Sequence, residues 1–164
     1  MPELVWDDVK NFFDPNLMGA LPDVRVEGAS VEDWQAVFDL VQTQGWKWEY
    51  AMSDVVVPLP SATDVLARLT DAELPILRVW PLPGVLVNFW PYSAAEIDFD
   101  IDLRQWQGQE RLDTLCGFFA AIGRRLGKPV LMAPEGDRQH PILGFDVEAD
   151  RVILLASPCV PEYD

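Results

Sequence analysis

The chain has 164 residues, with 12 basic and 27 acidic side chains, one histidine and two cysteines, for a formal net charge of −15. A pI near 4.2 argues against nucleic acid or an anionic membrane as direct partner, because both are polyanions that a basic patch must neutralise. Disorder is excluded by 49% hydrophobic residues and seven tryptophans, and the length suits one domain able to bury about two-thirds of its unfolded surface.

Taken in chain order, Met1 to Asp8 carry acids where a secretory leader has basic residues and an apolar run, so a cytoplasmic location is expected. A first short helix is predicted over Glu3 to Phe13, ending before Asp14-Pro15, and Val24 to Glu27 reads as a short strand. Ser30 is a good N-cap for a helix carrying Val31, Trp34, Val37, Phe38 and Val41 at helical spacing, closed by Gly45. From Trp46 to Met52 the period changes to two, which is a half-buried strand. Val55 to Val57 and Val85 to Val87 are among the longest apolar runs, far below the roughly 20 residues of a membrane span.

Ser61 with Asp64 resembles a capping box opening a helix through Leu69. Ile76 to Trp80 and Val85 to Trp90 form a predicted hairpin across Pro81-Leu82-Pro83-Gly84, followed by a strand from Ile97 to Leu103. A longer helix from Gln109 to Leu126 places Leu112, Leu115, Cys116, Phe119, Ile122 and Leu126 on one stripe, ending at Gly127. Gly117 and Gly123 inside it each cost about 1 kcal/mol against Ala, so close packing is expected there. Three more strands follow, over Pro129 to Met132, Ile142 to Asp146 and Arg151 to Leu155. Helices and hairpins mix without βαβ alternation, so the expected fold is a single α+β domain, residues 1–164, with a largely antiparallel sheet and helices packed on one face. Cys116 and Cys159 are expected as two thiols in a reducing compartment.

The most informative segment runs from Glu96 to Leu103. In a strand, Glu96, Asp98, Asp100 and Asp102 share one face, about 6.6–6.8 Å apart, while Ile97, Phe99, Ile101 and Leu103 face the core. Such a row is either the solvated face of an edge strand or a docking surface for a basic partner; Arg104 is the only base beside it in sequence. Asp98-x-Asp100-x-Asp102 also resembles the start of a calcium loop, but that loop requires Gly where Leu103 stands and Glu where Gln109 stands, so no metal is assigned. His140 has no nucleophile in a recognisable context, and no Gly-rich loop follows a strand, so neither a catalytic residue nor a cofactor is assigned. Glu135 and Asp137 extend the acidic surface if their loop lies near the row, and Trp106, in a polar connection after the acidic strand, is a candidate aromatic anchor for a partner.

The segment Phe99-Asp100-Ile101-Asp102, leading through Gln107-Gly108-Gln109-Glu110 to the helix Leu112 to Leu126, then Gly127-Lys128-Pro129-Val130-Leu131 and a hairpin through Phe145-Asp146 and Val152-Ile153, resembles small acidic immunity proteins of bacterial polymorphic toxin systems. The likeness covers residues 95 to 155 in layout and charge and transfers no binding residues. It implies a non-enzymatic inhibitor that blocks a basic toxin, such as a nuclease, and for such a protein an acidic surface speeds association. Two alternatives from other classes stand beside it. A small carboxylate-based enzyme or ligand-binding domain predicts a pocket with a raised carboxylate pKa, and a homo-oligomeric structural subunit predicts self-association insensitive to salt.

Overall fold

The computed structural model describes residues 4–67 and 75–156. The first predicted helix is shorter and broken: α1 covers Trp6–Val9 and passes into a 3-10 turn, Lys10–Phe13. Asp14, read as a stop, instead starts a further turn, α2 (Pro15–Met18), because its side chain accepts from the Asn16 N–H while Pro15 fits the first helical position. Strand β1 spans Asp23–Glu27 and helix α3 Val31–Thr43, where Ser30 Oγ accepts from the Asp33 N–H as its spacing predicts. Strands β2 (Lys47–Met52) and β3 (Val55–Val57) form a tight hairpin in which Ser53 and Asp54 both take positive φ. The sequence reading has no strand at β3, since a three-residue run carries no periodicity.

Helix α4 spans Ala62–Ala67 with the Ser61 cap, and its predicted extension to Leu69 lies outside the described residues, as does Cys159. Strands β4 (Pro75–Leu82) and β5 (Val85–Phe89) make the expected hairpin. Strand β6 is Glu96–Ile101, and the chain then turns into a 3-10 segment, Leu103–Gln105, earlier than expected. Helix α5 runs Gln109–Leu126 as predicted, with Gly127 left-handed at its end. Strands β7 (Val130–Ala133), β8 (Leu143–Asp146) and β9 (Arg151–Leu154) follow.

Among the described residues nine strands form one sheet in the order β3-β2-β4-β5-β6-β1-β7-β8-β9, every pairing antiparallel, so the fold is α+β with helices on the sheet. Alternation sorts the side chains. On the helix side, Val24 and Val26 of β1, Leu77 and Val79 of β4, Val87 and Phe89 of β5, and Ile97, Phe99 and Ile101 of β6 are buried against α5 and α3. Phe99 centres this core, its ring within 6 Å of those of Phe89, Phe118 and Phe119. At Gly123 α5 packs tightly on β8, since a Cβ there would run into the Phe145 ring; at Gly117 a Cβ would meet open space, so close packing accounts for only one of the two helix glycines. Cys116 is buried on the inner face of α5. No helix among the described residues is long and apolar enough to cross a membrane.

Candidate functional site: an acidic concavity on the open sheet face

The other face of the sheet is polar at its centre, and strand register explains why. Glu49 on β2 lies opposite Arg78 on β4, Arg78 opposite Asn88 on β5, Asn88 opposite Asp100 on β6, and Asp100 opposite Asp23 on β1. Five neighbouring strands therefore lay one transverse row of polar side chains about 4.8 Å apart. Its β2–β4 end is neutralised, with Arg78 Nη1 2.9 Å from Glu49 Oε2. The β6–β1 end is not: Asp23 and Asp100 face each other directly, and among the described residues neither has an ion-pair partner. Like charges directly opposite destabilise a sheet, so such a pair calls for compensation or a purpose.

Glu96, Asp98 and Asp100 share this face as expected, each half-buried. The edge-strand reading is corrected, because β6 is the fifth of nine strands and the row is flanked by sheet on both sides. Asp102 leaves the row: the strand has ended, and its carboxylate accepts from the Arg104 backbone N–H and pairs with the Arg104 guanidinium at 2.7 Å. That hydrogen-bonded guanidinium holds Asp102 below its ordinary pKa.

The remaining acids converge with two aromatics in an open concavity of about 330 Å³ lined by Asp23, Asp98, Asp100, Trp90, Tyr92 and Arg138. Trp90 and Tyr92 stack at 5.7 Å, and Trp90 Nε1 donates to Asp100 Oδ2 at 2.7 Å while Asn88 Nδ2 donates to Oδ1 at 3.1 Å. Burial still raises the Asp100 pKa, against the lowering effect of these two donors. Asp98 is pushed up to about 7, first by burial and then by its hydrogen bond and proximity to Glu96. Burial alone would raise Glu96 too, but the hydrogen bond from Asp98 and the guanidinium of Arg138 outweigh it and hold Glu96 low. The two carboxyls titrate as a pair: below about pH 7 they share one proton, held on the Asp98 side, and above it both are ionised. Burial, and after it the charges of Asp100 and Asp98, raise the pKa of Tyr92 above its ordinary value.

Two bases reach the row from distant parts of the sequence. Arg25 on β1 lies opposite Asp98, with its side chain largely buried, Nε 3.2 Å from Glu27 Oε2 and Nη1 without a hydrogen-bond partner. Arg138 comes from the loop after β7, its Nη2 hydrogen-bonded to Glu96 Oε1 and 3.6 Å from Asp98 Oδ1. That loop does lie beside the row, but what it adds there is positive charge. Glu135 is turned to the chain before β1, accepting from the Leu21 N–H at 3.0 Å, and Asp137 stays exposed, 2.7 Å from His140 Nδ1.

Trp106 is a correction. It is 0% exposed and sits in the core, where Leu103 and Leu112 are equally buried, so it has no surface to offer a partner. The aromatics beside the acids are Trp90 and Tyr92, the latter 51% exposed. Asp23 was missed as well, although the alternation Asp23-Val24-Arg25-Val26-Glu27 is the same polar and apolar pattern that marked β6. Among the described residues no group of acids, histidines or cysteines is arranged to hold a metal ion. In comparisons with known proteins the chain matches no family model, no curated protein and no solved structure.

Proposed function

We propose that the protein is a binding protein, acting as an immunity-type inhibitor that neutralises a basic protein such as a toxin nuclease. The observation that carries this reading is the convergence of Asp23, Asp98 and Asp100 with the stacked pair Trp90 and Tyr92 in one open concavity of the sheet. Carboxylates beside aromatic faces suit a guanidinium or ammonium group, which takes charge-assisted hydrogen bonds at its edge and ring contact at its face. A net charge of −15 adds long-range attraction toward a basic partner. Specificity then comes from the concavity and its aromatic wall, since charge supplies rate more than selectivity.

The test is capture of partners from the native host at about 50 and 300 mM salt, a range over which screening weakens exposed charge contacts, using wild type and the triple variant Asp23→Asn, Asp98→Asn, Asp100→Asn. One basic protein held by wild type at low salt and lost by the variant is the expected result. A partner held equally by both would place binding elsewhere on the molecule.

A second reading is favoured by one observation. Asp98, protonated up to about pH 7, beside an ionised Glu96 is the division of labour that acid–base catalysis uses. On this reading the concavity turns over a small cationic substrate, and Asp98→Asn abolishes turnover while leaving binding intact.

A further inference from the structure

The acidic face already holds a guanidinium, and it belongs to the chain itself. Arg138 stands in a loop of which every residue from 135 to 140 is exposed. The loop is tied down at its start, where the Glu135 N–H donates to the Met18 carbonyl and Glu135 Oε1 accepts from the Leu21 N–H, and at its end, where the Ile142 N–H donates to the Met132 carbonyl at 2.7 Å. Between these anchors Arg138 reaches β6, contacting Glu96 and Asp98 through one nitrogen, Nη2. A guanidinium has five donors in a fixed fork suited to bidentate pairing, so this contact uses a small part of what the group can do. The side chain remains 47% exposed, and Asp23 and Asp100 stay outside its ion pairs.

Resting on the binding reading above, we infer that Arg138 is a stand-in ligand: in the free protein it occupies part of the seat that an arginine of the basic partner takes, and binding exchanges one guanidinium for the other. The exchange is easy because the Arg138 side of the pair is open to solvent, where an ion pair contributes little. The stand-in has a use before binding, because it offsets repulsion along a row where Glu27 faces Glu96 and Asp23 faces Asp100 across the same two strands. An incoming arginine has what Arg138 lacks, since from above the sheet it can bring its fork to Asp98 and Asp100 and lay its plane against Trp90 and Tyr92.

The experiment is an NMR titration of the whole chain with a blocked octapeptide of alternating arginine and glycine, compared among wild type, Arg138→Gln, Arg104→Gln and Asp98→Asn/Asp100→Asn. Arg104→Gln removes the same charge from a base whose partner, Asp102, lies outside the concavity. The expected result is that wild type binds, that Arg138→Gln binds about two- to fivefold tighter, that Arg104→Gln changes less, and that the double aspartate variant loses binding. Wild-type binding with no gain in Arg138→Gln, or with equal gains in the two arginine variants, overturns the stand-in and leaves the binding reading standing. Absence of binding by both wild type and Arg138→Gln overturns the arginine seat itself, and the stand-in with it.

Discussion

The two faces of β6 are made by the same six residues, Glu96 to Ile101, and they solve opposite problems. Ile97, Phe99 and Ile101 are at most 2% exposed and belong to the apolar core, where the gain scales with the area removed from water. Glu96, Asp98 and Asp100 point the other way into a half-buried setting, where burial and mutual repulsion both work against their charge. One face is arranged for stability and carries no unusual electrostatics. The other holds opposed like charges and a carboxyl displaced to about pH 7, at some expense to stability. Strain gathered on a single face, beside a concavity, is what a surface kept for binding looks like.

Phe99→Ala removes the ring shared by Phe89, Phe118 and Phe119 and should destabilise the protein by about 3–5 kcal/mol in denaturant unfolding. A loss below about 1 kcal/mol would mean that the helix side is not the stabilising face. Gly123→Ala is expected to cost about 1–3 kcal/mol, since the added methyl must displace the Phe145 ring.

The acidic face predicts an effect of pH. The folded pKa of Asp98 is raised to about 7 from an ordinary 3.8, so the folded state holds its proton more tightly than the unfolded state does. Its destabilising contribution is absent below about 4, grows as pH rises between about 4 and 7, and is complete above 7. Glu96 is lowered and works in the reverse sense, its stabilising contribution being present above its ordinary 4.5 and lost as pH falls below it. Between about pH 5 and 7 the Asp98 effect therefore dominates, and thermal melts should show Tm rising by a few degrees on acidification from pH 8 to 5.5. Asp98→Asn should flatten that rise; an unchanged slope would show that Asp98 titrates normally. The smallest effect belongs to the outer surface of α5, where Gly117→Ala meets open space and should stabilise by up to about 1 kcal/mol, readable as a small upward shift in Tm.

Much of this was legible in the chain. Apolar spacing defined α3 and the bounds of α5, the Ser30 and Ser61 caps formed as their spacing requires, and alternation along residues 96–101 separated acids from core. Each of these signals is local, set by backbone geometry within a few residues. The misreadings share a different cause. Val55 to Val57 is too short for a period, and α2 is a single capped turn. Trp106 stands among polar neighbours in sequence but within the buried core cluster in space.

What residues 96–101 determined alone is which side chains share a face and what charge they carry, because a strand's alternation is fixed by its own pleat. That the row lies in mid-sheet rather than at an edge, that Asp23 joins it from 77 positions away while Asp102 leaves, and that Arg138 arrives from a loop with |i−j| of 42 to Glu96, were decided only by strand order and register. Register is a relation between segments far apart in the chain, set by which apolar faces must be buried together, and no single segment contains it.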